Sequence, residues 1–339
     1  MPQIVVENLT KTFAVSERTS GTWGSVRGLV HRKRRMVHAL DGISFSLEPG
    51  ELVGYIGPNG AGKSTTVKVL SGILVPTSGR CDVCGLIPWK NRIAHVRGIG
   101  VVFGQRTQLW WDLPVVESFD LLRDIYSVPD SQYEATRDEL IALLDLNPLL
   151  DTPVRQLSLG QRMRCDLAAA LLHSPSIVFL DEPTIGLDAV SKLAVRSFVK
   201  RINRERGVTV ILTTHDMDDI EALCSRVIVL GDGHILSDGT LDELRSSVTT
   251  ERRLIVDLEK GDRHLFCAQE KRCLSPFSVS GVEVVRSDGT RVELRFDPDV
   301  ISAADLIAQV TAKYAVKDLF VENTPIEEVI AKLYAEHRP

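Results

Sequence analysis

Gly57-Pro58-Asn59-Gly60-Ala61-Gly62-Lys63-Ser64-Thr65 follows an apolar run (Leu52, Val53, Tyr55, Ile56) and precedes a helix-forming stretch that reaches Leu70. This order predicts strand, glycine loop and helix, the context in which such a pattern carries meaning. Gly57, Gly60 and Gly62 let the backbone curl so that successive N–H groups converge on a polyphosphate, with a helix N-terminus behind them. Lys63 then meets the outer phosphates. Ser64 offers its hydroxyl to a Mg²⁺ ion bridging those phosphates, and Thr65 and Thr66 add donors in the first helical turn. An ordinary glycine turn before a helix is the plainer alternative, but here all eight positions of the pattern are filled.

A second stretch belongs to the same site. Ile177, Val178, Phe179 and Leu180 run straight into Asp181-Glu182. An apolar run without polar alternation predicts a strand buried on both faces, as in a parallel sheet covered by helices. In an open α/β sheet the loops at the C-terminal strand ends share one edge, which places both carboxylates beside the glycine loop. Asp181 is suited to hold the Mg²⁺ shell through water, and Glu182 to polarise a water for attack on the terminal phosphate. Another buried strand, Val208 to Leu212, leads into Thr213-Thr214-His215-Asp216. Most isolated histidines are structural, but His215 is predicted at the phosphate edge, where an imidazole N–H can donate to phosphate or steady the attacking water.

The remaining chain reads as follows. Residues 3 to 13 form a first strand ending in Phe13, and Ile43 to Leu47 a second. Between them Ser16 to Met36 carries Trp23, Leu29 and the basic cluster Arg27, His31, Arg32, Lys33, Arg34 and Arg35. It reads either as a solvated insertion or as a contact with anionic lipid headgroups or a membrane-surface partner. Residues 73 to 104 are expected to be strand-rich, and Val115 to Leu150 mostly helical, with punctuation at Pro129-Asp130 and Asn147-Pro148. Leu157-Ser158-Leu159-Gly160-Gln161 opens a helix to His173, and another spans Val190 to Arg206.

Taken together, these residues resemble the nucleotide-binding subunit of an ATP-binding cassette transporter, over roughly residues 3 to 245. The resemblance implies an α/β P-loop ATPase domain with a helical subdomain at about 106–174, binding ATP and Mg²⁺. It assigns Gly57 to Ser64 to Walker A, Ile177 to Asp181 to Walker B, followed by Glu182 as general base or positioning group for the water, and His215 to the switch histidine. It further implies that Phe13 stacks on adenine, that Gln105 senses Mg²⁺ and the membrane partner, with Gln108 as a nearby alternative, and that Ile185-Gly186-Leu187-Asp188 links two cassettes. Ser158, Gly160 and Gln161 match the signature segment, where Leu159 replaces the usual glycine. One copy of each motif implies a second cassette, either another copy of this chain or a different one. The wording Phe103 to Pro114 and Thr213 to Ile220 is similar to a bacterial exporter branch of drug, viologen-like cation and antibiotic transporters that pair with separate multi-helix permeases. The expected setting is peripheral, at the cytoplasmic face of the membrane.

Beyond a linker at Arg245 to Arg253, strand signals at Leu254–Leu258, 282–285, 292–296 and 318–321 and helical patterns at 301–314 and 326–334 predict a small α+β domain, 254–339. A ferredoxin-like arrangement is the expectation, with a role in packing and dimer support. A net charge of −5 in 339 residues supplies no global basic field for nucleic acid. Six cysteines suit a reducing compartment, and Cys81-x-x-Cys84 lacks the second pair a zinc site needs. No signal peptide or spanning segment is expected. Two further readings remain: an importer ATPase with a regulatory C-terminal domain, and a cassette ATPase acting on ribosomes or DNA.

Overall fold

The computed structural model describes residues 1–16, 34–104, 106–259, 281–288 and 290–337; residues 17–33 of the basic insertion, Gln105, Cys267 and Cys273 lie outside them. The chain divides into two compact units, Met1–Thr240 and Leu241–Pro339.

In the first unit, β1 (Ile4–Ser16) pairs antiparallel with β2 (Arg34–Leu47), and later with β4 (Ser78–Val83). Both ribbon strands run further than the apolar alternation indicated, because ladder pairing continues through Phe13↔Val37 to Ser16↔Arg34. β3 (Leu52–Ile56) is buried throughout and delivers the chain into the glycine loop and α1 (Lys63–Leu70). α2 (Arg92–Gly98) stands inside the stretch expected to be strand-rich. Its apolar Ile93 is 78% exposed, so the segment has no continuous buried stripe to reveal it. β5 (Ile99–Phe103) then leads to α3 (Val115–Tyr126), α4 (Asp130–Leu144) and α5 (Leu159–Leu171). β6 (Ile177–Asp181), α6 (Ala189–Arg206), β7 (Thr209–Thr213), α7 (Met217–Leu223), β8 (Arg226–Gly231) and β9 (His234–Thr240) complete the unit.

The main sheet runs β5-β6-β7-β3-β8-β9, parallel except for β9. β6, β7 and β3 lie inside it with apolar residues on both faces, which explains runs such as Ile177 to Leu180. Phe179 is fully buried, and its removal from water is worth about 2–3 kcal/mol. On β3, a β-carbon at Gly54 would sit 2.8 Å from Ile220 Cδ1 and 3.2 Å from Cys224 Sγ, so the helix after His215 rests directly on the backbone of this strand. Among the described residues no helix is long and apolar enough to cross a membrane.

The second unit begins with α8 (Leu241–Val248), which starts within the last residues expected to close the first domain and runs into the segment expected as a linker from Arg245. Leu241, Leu244 and Val248 fall on one helical stripe among charged neighbours, which a polar average conceals. β10 (Arg252–Leu258), β11 (Val282–Asp288), β12 (Arg291–Phe296), α9 (Ala303–Lys313), β13 (Val316–Asn323) and α10 (Ile326–Glu336) follow. The sheet order β11-β12-β10-β13, antiparallel throughout, is the strand arrangement of a ferredoxin-like sheet. Leu254, Val256, Leu294 and Phe296 pack on one face with Leu306 and Val310 of α9.

Candidate active site

The glycine loop leaves β3 at Gly57 and enters α1 at Lys63. Its glycines are required by their surroundings: a β-carbon at Gly57 would meet Leu230 O at 2.7 Å, and one at Gly62, where φ is 110°, would meet Ala39 O at 2.4 Å. Gly62 offers no side-chain cap to α1, so the first-turn N–H groups lack intrahelical acceptors and remain for an anion. Pro58, Asn59 and Gly60 are exposed on the loop, Ala61 is buried beneath it, and Thr65 is half-buried in the first turn.

Lys63 is nearly buried, and its ammonium donates to Gly57 O (2.7 Å) and Pro58 O (3.1 Å) of its own loop. Burial pulls its pKa below the usual lysine value, while Glu182 and Asp181 oppose that shift. A positive charge thus rests against two carbonyls of its own loop, beside the uncapped N-terminus of α1, a combination a polyphosphate fits.

Asp181 ends β6. Its Oδ1 accepts from Ser64 Oγ at 3.3 Å and from Thr213 Oγ1 at 2.5 Å. Since β7 lies between β6 and β3, Thr213 at its end stands between Asp181 and the strand that leads into the glycine loop. The oxygen donors of Ser64 and Asp181 suit a hard divalent ion such as Mg²⁺, which takes few protein ligands when phosphates and water complete its shell. Among the described residues no group of three His, Cys, Asp or Glu side chains is placed to hold a metal.

Glu182 sits in the left-handed region at φ 56°, an uncommon conformation for a side-chain-bearing residue, held by its N–H donating to Thr213 O at 2.9 Å. The backbone of Gly104 presses on the same turn, where a β-carbon would lie 2.0 Å from Glu182 O. His215 Nε2 lies 2.8 Å from Glu182 Oε1, both partly open to solvent. The pair borders a cleft of about 360 Å³ lined also by Thr184, Lys192, Thr214 and Asp216.

Ser158, Gly160, Gln161 and Asp188 form a second group. Ser158 caps α5: its Oγ accepts from Gln161 N at 3.2 Å, and Gln161 Oε1 accepts from Ser158 N at 2.9 Å. Asp188 caps α6 through Ser191 N (2.9 Å) and Ser191 Oγ (2.7 Å), bonds that hold its carboxyl below the usual range. Gly160 packs against Ser191, with room for nothing larger, since a β-carbon would lie 2.5 Å from Ser191 Oγ. Leu159 covers Gly186.

Phe13 is 36% exposed near the end of the β1–β2 ribbon, with Lys11 Nζ 5.1 Å from its ring centre. Gln105 lies outside the described residues. Gln108 is engaged elsewhere: its N–H donates to Asp166 Oδ1 at 3.1 Å and its side-chain amide to Asp166 O at 3.0 Å. Thr213, Thr184, Asp166 and Asp219 take no part in the sequence-derived site, although Thr213-Thr214 stands beside His215 in the quoted motif.

Residues 40–185 match the family model described as ABC transporter. The chain is 36% identical over 223 residues to the daunorubicin resistance ATP-binding protein DrrA3 of Streptomyces coeruleorubidus, covering 66% of this chain and 70% of that protein. It is 29% identical over 308 residues to the methionine import ATP-binding protein MetN of Latilactobacillus sakei subsp. sakei (strain 23K), 88% of this chain and 86% of that one. Among solved structures, the dimeric post-hydrolysis state of the ATP-binding cassette MJ0796 bound to ADP and Pi matches with a TM-score of 0.58 and 26% identity, covering 70% of this chain and 98% of that chain. The phosphate cradle, the carboxylates at the ends of buried parallel strands and these likenesses agree: the chain belongs to the ABC transporter ATP-binding family, as an ATP-binding subunit and an ATPase.

Proposed function

We propose that this subunit powers export through separate multi-helix permease subunits, working as one of two cassettes at the cytoplasmic face of a membrane. The observation that carries the hydrolytic reading is the convergence of Lys63, Ser64, Asp181, Glu182 and His215 on one edge of the sheet. Lys63 and the first-turn N–H groups of α1 receive the phosphates of ATP, and Phe13 stacks on the base. Ser64, Asp181 and Gln105 would hold Mg²⁺, which when bound draws charge off the phosphates. Glu182 accepts the proton of the attacking water, and His215 orients that carboxylate. Ser158, Gly160 and Gln161 close over nucleotide held by a second cassette, with Asp188 at the junction.

Exposed Trp110 and Trp111, the latter under the Arg162 guanidinium at 5.6 Å, supply an aromatic surface for the permease just beyond Gln105. The export direction is supported by similarity to a resistance ATP-binding protein and by the Phe103 to Pro114 wording. One observation favours importing instead: the alignment with MetN extends over 88% of this chain, into the second unit.

The test is to recover the Glu182→Gln form from native membranes in mild detergent with ATP. Stoichiometric multi-helix subunits support the transport motor, and ribosomal proteins or DNA overturn it. Transport reconstituted with those subunits separates the directions, since an importer would require a substrate-binding protein.

A further inference from the structure

Asp219 is fully buried in the first turn of α7, four residues after His215. A carboxylate removed from water needs compensating donors, and here they come from three separate segments. Thr184 Oγ1, two residues after Glu182, donates to Oδ2. Thr214 Oγ1, next to His215, donates to the same oxygen at 3.4 Å. Arg196 of α6 donates through Nε to Oδ1. Arg196 also lies 3.6 Å from Asp216 Oδ1, and Lys192 pairs with Asp216 Oδ2, so two turns of α6 are tied to the loop holding His215.

We infer that Asp219 is a positioning residue for hydrolysis: it joins the Glu182 loop to the His215 loop and ties both to the helix capped by Asp188. The inference rests on the reading of Glu182 and His215 as the hydrolytic pair. The geometry of that pair depends on two loops from different strands, which meet directly in the 2.8 Å bond itself and in the Glu182 N–H donating to Thr213 O at 2.9 Å. Asp219 fixes each loop within a residue or two of its functional side chain. Because α6 starts at Asp188, on the side proposed to meet a second cassette, a shift of α6 is carried through Arg196 to Asp219 and from there to the pair. A buried ion pair serving only the fold would hold α6 to α7 through Arg196 without requiring the hydroxyl of Thr184.

Thr184→Val removes that hydroxyl at nearly constant volume, Thr184→Ser retains it, and Asp219→Asn removes the charge while Arg196 keeps Asp216 as partner. Steady-state ATPase assays on the full chain should show Thr184→Val and Asp219→Asn lowering kcat about 10- to 100-fold with KM within about threefold. Thr184→Ser should stay within about threefold of the parent. Added to His215→Ala, the Thr184→Val change should cost less than about threefold more, since a positioning contact has nothing left to position. The inference is overturned if Thr184→Val leaves kcat unchanged, if its effect is the same on the His215→Ala background, or if losses follow the melting temperature alone, with Thr184→Ser as impaired as Thr184→Val. Full hydrolysis by Glu182→Gln would instead remove the underlying reading of the pair, an outcome visible in the same assay.

Discussion

The imidazole of His215 meets the carboxylate of Glu182 at 2.8 Å although the two residues leave different strands of the sheet, β7 and β6. A carboxylate so held keeps one oxygen engaged and directs the other. Glu182→Gln is therefore expected to lower kcat at least 100-fold while nucleotide affinity stays within about threefold. His215→Ala should lower kcat about 10- to 1000-fold. Single-turnover hydrolysis alongside equilibrium binding of a fluorescent ATP analogue checks both; a matching loss of affinity would show that the pair binds nucleotide rather than processing it.

Gly160 and Ser191 interlock. In Gly160→Ala the new methyl meets Ser191 Oγ, the group that donates to the Asp188 cap. Loss of that cap arrangement should destabilise the unit by about 1–2 kcal/mol. Replacing Ser191 by Ala as well removes the colliding oxygen and should recover part of the loss despite deleting a hydrogen bond. Chemical denaturation of the single and double variants gives the comparison, and simple additivity would count against the steric account.

Asp166 supplies a pH dependence. Burial raises its pKa from the ordinary carboxyl value to about 6, partly offset by Thr107, Gln108 and Arg162. Between the unfolded value near 3.8 and the folded value near 6, the folded state holds a proton that the unfolded state has released. Stability from this group therefore grows as pH falls through 6 and is absent at pH 7 and above. From pH 7 to pH 5, the parent should gain about 1 kcal/mol relative to Asp166→Asn. Urea unfolding of the two proteins at both pH values measures the difference, and parallel pH curves would contradict it.

In the second unit, Arg253 is almost enclosed between Glu293 and Glu328. Arg253→Met keeps the apolar stem but leaves Glu293, only 19% exposed, without this partner. The expected cost is about 2–3 kcal/mol, whereas Glu328→Gln, at a position 44% exposed, should cost under about 1 kcal/mol. Hydrogen exchange across residues 252–258 ranks the two, and equal effects would refute the role assigned to burial.

The phosphate loop, the Asp181-Glu182 pair and the long buried strands were legible because each is a contiguous run whose chemistry or period is local. α8 was missed because its apolar residues are spaced three and four apart within a polar window, and α2 because Ile93 faces solvent. Thr184, Thr213, Asp166 and Asp219 escaped for another reason. Their partners lie tens of residues away, and an isolated Thr or Asp carries no periodicity that says which distant donor it will meet. Leu159 gained its meaning from tertiary contact, as the residue that covers Gly186.

Gly54 has no counterpart among the nucleotide motifs, yet Ile220 and Cys224 occupy the space a side chain there would need. In a saturation-mutagenesis survey scored by transport, position 54 should behave as intolerant as the phosphate loop itself. A map of function drawn from such a survey would then mark a residue that meets no ligand, and its neighbour in that map would be α7 rather than ATP.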